Sequence, residues 1–413
     1  MKSLALKTGV PFLIVLLISA CQPESPQSVR PEEAGLSAKH LRQLDAIIAS
    51  ALARKDFPGA VVLIGRKGKT VFRRAYGDCQ WVPRPRAMEE EMLFDLASIT
   101  KPVATATSIM VLVDEGKVSL EEKVKDYVPG FRPYIDSTGK PGEDARIWHL
   151  LTHTSGLPPY VEPGGHSGVK ELFGERLSTE ELVDYIARLP KTDAPGTALH
   201  YSCLGYITLA HIIKKVSGQN IAEFSQARIF KPLKMRHTLF CPPEKTRDRC
   251  VATEVVEGKP FIGVVHDPLA RLQGGISGNA GLFSTASDLA IFAEMMLHYG
   301  SLNGERILSP LAVARMTSVW PRPYFSGRGL GWDLVSPQSS SRGDLFGPNA
   351  YGHTGYTGTS IWIDPDTETY VIFLTNRVHP NDGGKDAISA VRSRVANVVA
   401  AAIQQARDVL TRR

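Results

Sequence analysis

Strand-like segments stand at both ends of this chain, and helical segments fill the long stretch between them. Residues 60–64 and 70–76 are rich in β-branched and aromatic residues, and the Gly-containing segment 65–69 joins them. This pattern predicts a β-hairpin. Short, partly alternating patterns return near the C-terminus at 329–335, 359–363 and 370–376. Strands from both ends can share one sheet if the middle of the chain forms a separate helical layer.

The helical segments are recognised by apolar residues at spacings of three and four. An opening helix is predicted after Ser37, a residue type favoured at helix N-termini, and a last helix over 385–410. Further helices are predicted in the middle at 103–114, 179–188, 204–216, 222–229 and 287–297. We therefore expect an α+β fold. An antiparallel sheet built from both chain ends is flanked by the terminal helices, with a large α-rich insertion.

The expected domain covers residues 35–413. Its α/β part comprises about 35–97 and 321–413, and its α-rich part about 98–320. A chain of this length with 43% hydrophobic residues can bury a substantial core. The formal charge of +6 is too small and too evenly spread for a nucleic-acid-binding surface. We therefore expect no nucleic acid partner.

The N-terminal residues are expected to direct export and anchoring. Lys2 and Lys7 precede the apolar run 10–20, which has the length of a signal-peptide core. The four residues that end at Cys21 are Ile-Ser-Ala-Cys. They resemble the bacterial lipobox, in which the cysteine is acylated and becomes the mature N-terminus. The alternatives are an ordinary cleaved signal and an uncleaved anchor helix.

Under the lipobox interpretation, residues 1–20 are a signal peptide and residues 21–34 are a tether. The tether would connect a lipid anchor on Cys21 to the folded domain. The protein would then be a membrane-anchored lipoprotein of the bacterial cell envelope that faces the periplasm. No later stretch of the sequence offers about 18 consecutive apolar residues, so this anchor would be the link to the membrane.

Four cysteines remain besides Cys21, namely Cys79, Cys203, Cys241 and Cys250. Cys241 and Cys250 flank a short polar loop, and export would permit a disulfide between them. A bridge and two reduced thiols are equally compatible with this spacing. No Cys-x-x-Cys or paired-histidine pattern predicts a metal site, and we expect no cofactor.

A serine and a lysine stand at helical spacing just before the predicted helix 103–114. Ser98 and Lys101 are three residues apart, so a helical turn places the lysine amine beside the serine hydroxyl. Burial can lower the pKa of such a lysine until it accepts a proton. A helix N-terminus also favours negative charge that develops at the serine. The pair could therefore be an activated nucleophile, although Ser-x-x-Lys alone often occurs by chance.

Two further motifs accompany the Ser-x-x-Lys pair. Tyr-Ser-Cys at 201–203 precedes a predicted helix, and Gly-His-Thr-Gly at 352–355 precedes a predicted strand. Together with the segments 149–157 and 278–284, they make the chain resemble the serine β-lactamase and penicillin-binding superfamily. The resemblance is to its class C-like branch and covers about residues 30–405. An α/β-hydrolase is disfavoured because the sequence has no Gly-x-Ser-x-Gly elbow.

The resemblance implies a role for each motif residue. Ser98 would be the acylated nucleophile, Lys101 its proton acceptor, and Tyr201 a phenolate-like base that also protonates the leaving group. The implied substrate-binding residues are Cys203, His353, Thr354, Gly355 and Tyr356. The backbone N–H groups of Ser98 and Tyr356 would form the oxyanion hole.

Two positions differ from the pattern of this branch. Cys203 stands where the family has asparagine, so a side-chain amide that commonly holds amide substrates is missing. His353 stands where many relatives have lysine, so its charge depends on pH. Both differences argue against efficient β-lactam hydrolysis and leave peptidase or esterase activity open. His153 lies in a stretch that is an architectural turn in relatives, and we interpret it as structural.

The leading hypothesis is a serine acyl hydrolase that acts through an acyl-enzyme on amide or ester substrates. It would be related to D,D-peptidases and β-lactamases, with a small molecule or a peptide such as the peptidoglycan stem peptide as substrate. The alternatives are a carboxylesterase of the same fold and a non-catalytic envelope sensor or binding protein. The joint presence of Ser98, Lys101 and Tyr201 favours an enzyme, because binding alone would not require all three.

Overall fold

The computed structural model of this protein describes residues 26–161, 176–319, 326–336, 339–382 and 386–404. Within them, the strands are β1 (Gly59–Arg66), β2 (Lys69–Gln80), β3 (Arg86–Ala87), β4 (Phe94–Asp95), β5 (Leu239–Phe240), β6 (Val255–Val256), β7 (Lys259–Pro260), β8 (Leu282–Ser284), β9 (Ser301–Leu302), β10 (Glu305–Arg306), β11 (Tyr351–Thr354), β12 (Ser360–Asp364) and β13 (Thr369–Thr375).

The α-helices of the described residues are α1 (Ala38–Leu41), α2 (Gln43–Ala53), α3 (Thr107–Asp114), α4 (Val124–Tyr127), α5 (Ile147–Leu151), α6 (Thr179–Arg188), α7 (Cys203–Ser217), α8 (Ile221–Ser225), α9 (Pro268–Leu272), α10 (Ala286–Leu297), α11 (Pro310–Met316) and α12 (Asp386–Ala402). Short 3₁₀ helices lie at Pro31–Ala34, Ala97–Ile99, Glu244–Arg249 and Ser339–Arg342. Two segments, Lys101–Ala106 and Gln226–Phe230, are π-helical.

The central sheet joins strands from both chain ends. Its order is β11-β12-β13-β1-β2-β3, and neighbouring strands are antiparallel. β1 and β13 lie in the middle, where Val62 is opposite Phe373. Every residue of both strands is buried. Their nearly continuous apolar sequence follows from this position, because both faces of the sheet are covered.

Successive residues of β1 face two different hydrophobic cores. Val61 and Leu63 belong to the larger core, which includes the helices of the α-rich part. Val62 and Ile64 belong to a smaller core on the other face. That core is completed by the terminal helices α2 and α12 through Leu44, Ile48, Val391 and Val395. Burial of one such side chain contributes about 1.5–3 kcal/mol, so the sheet holds a helical layer on each face.

The expected α+β fold is confirmed. Ser37 caps α1, because its Oγ accepts the His40 N–H at 3.3 Å. Helix α6 has the predicted bounds, and α7 and α10 differ from prediction by one residue at either end or less. The last helix ends at Ala402, short of the predicted 410. There Ile403 leaves the helix and forms a bridge with Leu36.

The predicted strand at 329–335 is wrong. This segment is a series of bends, and Asp333 makes isolated bridges to Arg328 and Gly352. Gly331 has a φ of +90°, which a strand does not allow. A Cβ added at Gly331 would also lie 2.5 Å from the Cβ of Ala106. The bent loop therefore passes directly against the helical segment that begins at Lys101.

The predicted signal peptide and Cys21 lie outside the described residues, so export and lipidation remain predictions. Part of the predicted tether lies on the domain, where Ser28 bridges to Thr70 and the Val29 N–H donates to the Thr70 carbonyl at 2.9 Å. A search of the described helices finds none with the length and apolar character needed to cross a membrane.

Candidate active site

Ser98 lies in a strained turn that directly follows β4. The preceding residue, Ala97, has a φ of +47°, which is uncommon for a residue with a side chain. The side chain of Asp95 accepts the Ala97 N–H at 2.9 Å. Ser98 is half-buried and lines a cavity of about 310 Å³. The turn thus presents a serine hydroxyl to this open cavity.

Lys101 holds the Ser98 hydroxyl, as the spacing of the two residues predicts. Its Nζ donates to Ser98 Oγ at 2.9 Å and to the Asn279 carbonyl at 3.0 Å. Cys203 Sγ lies 3.5 Å from the same nitrogen. Lys101 has no exposed surface. Asn279 belongs to the segment 278–284 that was recognised in the sequence, but its carbonyl contact with the lysine was not foreseen.

The expected direction of the Lys101 pKa is wrong. Burial on its own lowers this pKa, but the neighbouring Cys203 thiol and Tyr201 phenol raise it, and the net direction is upward. These neighbours are brought by α7 and could not be weighed from the Ser-x-x-Lys spacing. The surroundings of Lys101 therefore favour its charged form, in contrast to the expectation from burial alone.

Tyr201 lies between aromatic and cationic groups just before α7. Its ring centroid is 4.2 Å from that of His153. The Lys101 Nζ is 5.0 Å and the Arg328 Cζ is 5.4 Å from the Tyr201 centroid. Two positive charges therefore stand near this ring, where they can stabilise negative charge that develops on the phenol oxygen.

His153 supports the backbone on both sides of Tyr201. Its Nδ1 accepts the Ser202 N–H at 3.0 Å, and its carbonyl accepts the His200 N–H at 2.9 Å. Burial, with contributions from Arg328 and Lys101, lowers the pKa of His153 well below its usual range. The residue is a neutral histidine under the Tyr201 ring, and this geometry fits the structural interpretation.

Cys203 is the first residue of α7 and lies beside Lys101. Burial raises the pKa of its thiol, although the Lys101 charge opposes this effect. A thiol kept protonated is a poor nucleophile. The geometry therefore fits a small, half-buried side chain better than a second nucleophile. Cys79, Cys241 and Cys250 are also free thiols, so the structure does not contain the disulfide considered for Cys241 and Cys250.

His353 belongs to the edge strand β11 and lines the cavity. Its Nδ1 donates to the Thr354 carbonyl at 2.8 Å. Its Nε2 is buried and has no hydrogen-bond partner among the described residues. Burial, helped by Arg328 and Lys101, lowers the pKa of His353 well below its usual range. The pH-dependent charge expected at this position is therefore absent, and a neutral acceptor nitrogen stands there.

The turn after β11 requires the glycine of its motif. A Cβ added to Gly355 would lie 2.4 Å from the Leu96 carbonyl oxygen. The same turn is fixed to the nucleophile segment by two hydroxyls, since Thr357 Oγ1 donates to the Asp95 carbonyl at 2.7 Å and Thr359 Oγ1 to that of Leu96 at 3.0 Å. The close approach brings Tyr356 beside Ser98 on the cavity wall.

Three buried arginines also line the cavity, and sequence analysis missed all of them. They are Arg328, Arg377 and Arg392. Arg328 pairs with Asp333 at 3.8 Å, and Arg377 with Asp382 at 2.5 Å. Arg392 donates to the carbonyls of Gly355 and Thr359, and burial together with Arg377 lowers its pKa to about 9. The three guanidinium groups outnumber the two carboxylates that pair with them, so this wall keeps a net positive charge that suits an anionic group.

The missed arginines come from parts of the chain without a recognisable motif. Arg328 stands in Gly-Arg-Gly-Leu-Gly, and the dense glycines were the available signal that this segment is not a strand. Arg392 lies on α12, whose helical pattern indicates packing and not a site. Within the described residues, no group of three or more metal-ligating side chains comes together.

A serine held by a buried lysine, with a tyrosine near both, defines a serine hydrolase when it lies on this fold. The β-lactamase family model matches residues 44–396. The chain therefore belongs to the β-lactamase family and is an enzyme. The alternative of a non-catalytic sensor is not favoured.

Two curated relatives are similar over most of the chain. N-acetylmuramyl-L-alanine amidase of Bacillus subtilis (strain 168) is 33% identical over 382 residues, which are 86% of this chain and 85% of the relative. A Salmonella paratyphi B protein named "Putative D-alanyl-D-alanine carboxypeptidase" is 29% identical over 394 residues, 89% of this chain and 90% of the relative.

One solved structure illustrates the likeness in fold. EstCE1, described as a hydrolase with promiscuous acyltransferase activity, has a TM-score of 0.71 with 22% identity. The match covers 88% of this chain and 99% of EstCE1. It supports the antiparallel α+β architecture.

Proposed function

We propose that this enzyme cleaves a peptide amide bond next to a free carboxylate, as a D,D-carboxypeptidase does, through an acyl-enzyme on Ser98. One observation carries the proposal: a single cavity contains Ser98, whose Oγ lies 2.9 Å from Lys101 Nζ, together with buried guanidinium groups. The serine and lysine can perform acyl transfer, and the guanidinium groups can hold an anionic substrate.

In the acylation step, Ser98 Oγ attacks the substrate carbonyl carbon and passes its proton to the oxygen of a deprotonated Tyr201. Lys101 keeps its own proton, in agreement with its raised pKa, and its charge stabilises that phenolate. The oxyanion accepts hydrogen bonds from the backbone N–H groups of Ser98 and Tyr356. The C–N bond then breaks as Tyr201 returns the proton to the leaving amine.

Deacylation repeats the same proton transfers with water. A water molecule attacks the ester carbonyl of the Ser98 adduct and gives a proton to Tyr201. The ester C–O bond breaks, Tyr201 returns the proton to Ser98 Oγ, and the peptide leaves as a free acid. Lys101 is not consumed in either step, which gives it an electrostatic role in place of the proton-acceptor role first implied.

The charge of the cavity supports a substrate with a carboxylate. His353 is neutral, so the fixed positive charge on this wall comes from arginines, and the Arg328 Cζ lies 5.4 Å from the centre of the Tyr201 ring. Guanidinium groups pair with carboxylates in two parallel hydrogen bonds. The name of the Salmonella relative describes such a substrate, a peptide with a free carboxylate one residue from the bond that is cleaved.

Amidase activity is the second candidate. The Bacillus relative, whose name describes cleavage of an N-acetylmuramyl-L-alanine amide, is 33% identical to this chain. That substrate places a sugar and not an amino acid on the acyl side of the bond. The same serine, tyrosine and oxyanion donors would act on it, so the two candidates differ in substrate and not in mechanism.

The proposed place of action is the bacterial cell envelope. The sequence supports it through the apolar run 10–20 and the lipobox-like residues that end at Cys21. Membrane association of the wild type that is lost in a Cys21→Ser variant would support this proposal, and membrane association that persists would overturn the lipid anchor.

The experiment that tests the proposed function compares two peptide probes and a p-nitrophenyl ester. Purified protein is incubated with N-acetyl-L-lysyl-D-alanyl-D-alanine and, separately, with N-acetylmuramyl-L-alanyl-D-isoglutamine. We expect release of D-alanine from the first probe. Cleavage of the muramyl probe alone would replace the first candidate with the second. Cleavage of a p-nitrophenyl ester with neither peptide cleaved would contradict both candidates and support an esterase.

A further inference from the structure

We infer that Asp95 is a positioning residue that holds the two oxyanion donors of this enzyme in one fixed geometry. Asp95 is the last residue of β4 and is 2% exposed. It does not line the cavity, and the proposed mechanism gives it no step. The inference rests on the proposed acyl-enzyme pathway, in which the N–H groups of Ser98 and Tyr356 bind the oxyanion.

Asp95 contacts three segments that surround the site. Its Oδ1 accepts the Ala97 N–H at 2.9 Å, and its Oδ2 accepts the His266 N–H at 2.7 Å. Its own carbonyl accepts the Thr357 hydroxyl at 2.7 Å. One residue therefore connects the turn that carries Ser98, the loop at 266, and the turn that carries Tyr356.

The first contact fixes the direction of the Ser98 N–H. Ala97 adopts a φ of +47°, a conformation that persists only when the surroundings enforce it. The Asp95 carboxylate enforces it by accepting the Ala97 N–H. If this bond is lost, Ala97 can relax towards ordinary backbone angles, and the peptide group that carries the Ser98 N–H rotates with it.

The other two contacts fix the Tyr356 side. Thr357 follows Tyr356 directly, so its bond to the Asp95 carbonyl sets the distance between the two turns. His266, whose backbone is held by Asp95 Oδ2, stacks its ring on that of Tyr356 with centroids 5.4 Å apart. Asp95 thus reaches Tyr356 by two routes, one through Thr357 and one through His266.

The ionised carboxylate is the side chain that this position requires. Burial raises the pKa of Asp95, whereas the two backbone N–H groups that its oxygens accept oppose this effect and favour the ionised form. Its two oxygens accept two backbone N–H groups at once. An asparagine has a single acceptor oxygen, so its amide N–H would face either Ala97 or His266 and repel that donor. Asp95→Asn therefore removes one contact with little change in size.

Asp288 provides a matched control, because it does not line the cavity and its hydrogen bonds reach neither of the turns that carry Ser98 and Tyr356. It is also a buried carboxylate, and its Oδ2 accepts the His237 N–H at 2.7 Å and the Thr238 hydroxyl at 2.8 Å. Burial raises its pKa as it does for Asp95. Both of these contacts use Oδ2, so one asparagine oxygen can keep them, and Asp288→Asn removes a buried carboxylate without touching the oxyanion donors.

The test measures kcat and KM for p-nitrophenyl butyrate, the Kd of phenylboronic acid and the thermal midpoint in wild type, Asp95→Asn and Asp288→Asn. Phenylboronic acid forms a tetrahedral adduct on a reactive serine and so reports on the oxyanion donors. For Asp95→Asn we expect kcat to fall about 100-fold, KM to change less than about threefold, and the Kd to rise in proportion to the fall in kcat.

For Asp288→Asn, we expect kcat and the phenylboronic acid Kd to stay within about threefold of wild type. Equal losses of kcat in the two variants, or a loss in Asp95→Asn that lies in KM alone, would overturn the inference. If Asp95→Asn does not fold, the Thr357→Val variant tests the inference instead. It removes the hydrogen bond from the Thr357 hydroxyl to the Asp95 carbonyl and keeps the shape of the side chain. It should lower kcat about 10-fold, and an unchanged kcat would contradict the inference.

A labelling experiment separates this inference from the proposed function. Mass spectrometry of wild type treated with a fluorophosphonate shows whether Ser98 is the modified residue. If another residue is modified, the acyl-enzyme pathway and the inference fail together. If Ser98 is modified and Asp95→Asn retains wild-type kcat, the pathway stands and the role of Asp95 is rejected.

Discussion

The two walls of the cavity are built in different ways. One wall carries Ser98 and Tyr201, with Lys101 buried next to Ser98, and all three are part of a sequence motif. The other wall carries β11, the loop around Arg328 and helix α12, and its charge comes from residues outside any motif. His353 occupies the motif position there but is neutral. The comparison teaches that the proposed reaction depends on motif residues, whereas the proposed carboxylate contacts depend on arginines without a motif.

The largest effect should come from removing the nucleophile on the first wall. Ser98→Ala deletes the hydroxyl that Lys101 holds and leaves the neighbouring side chains in place. We expect kcat/KM for any cleaved substrate to fall by at least about 10³-fold. Ser108→Ala is the matched control, since Ser108 is buried further along the same helical region and its Oγ has no hydrogen-bond partner among the described residues. Comparable activity in the two variants would refute the assignment of Ser98.

The second wall is tested by Arg328→Met, which keeps a long side chain but removes its charge. For a peptide with a free C-terminal carboxylate, we expect kcat/KM to fall about 30- to 100-fold, as for a lost charge-assisted hydrogen bond. For the same peptide with a C-terminal amide, the change should be less than about fivefold. Equal losses on both peptides would assign Arg328 to the fold or to Tyr201 and not to carboxylate recognition.

A smaller effect is expected at Cys203, which lies beside Lys101 but does not line the cavity. Cys203→Asn restores the amide that relatives have at this position, next to Lys101. The ratio of kcat/KM for nitrocefin to that for p-nitrophenyl butyrate should rise about 10-fold, equivalent to ~1–2 kcal/mol of differential stabilisation. An unchanged or lower ratio in a folded variant would show that Cys203 does not determine substrate preference.

The smallest effect concerns the pH dependence of the second wall. The pKa of His353 lies well below the usual histidine value, first because of burial and then because of Arg328 and Lys101. His353 is therefore neutral from pH 8 down to pH 6, and it should not gain a proton in that window. Wild type and His353→Gln should give parallel pH profiles of kcat/KM for p-nitrophenyl butyrate, within about threefold. An acid limb near pH 6.5 that disappears in the variant would contradict this.

The first wall was more predictable than the second because its contacts are local. Ser98 and Lys101 are three residues apart, so helical geometry alone predicts their contact, and the structure gives 2.9 Å. Strands β1, β2, β12 and β13 were likewise predicted from their β-branched and aromatic residues, whereas β11 was not predicted. These inferences need no knowledge of which distant segments come together.

The predictions that failed concern residues whose surroundings are set by tertiary contacts. The direction of the Lys101 pKa was wrong because it depends on Cys203 and Tyr201, which α7 brings from about a hundred residues away. Arg328 was not identified as a cavity residue because the segment 329–335 that follows it was interpreted as a strand, although the glycines of this segment permit a bend. Asp95 stands next to a motif residue, but its contacts with His266 and Thr357 are visible only in the folded chain.

The central claim is that the motif wall cleaves an amide bond and the arginine wall selects a substrate with a carboxylate beside it. The most direct test measures kcat/KM of wild type for D-alanine release from N-acetyl-L-lysyl-D-alanyl-D-alanine and for D-alaninamide release from its C-terminal amide. We predict a preference for the free acid of at least about 30-fold. Equal rates, or a preference for the amide, would contradict the claim.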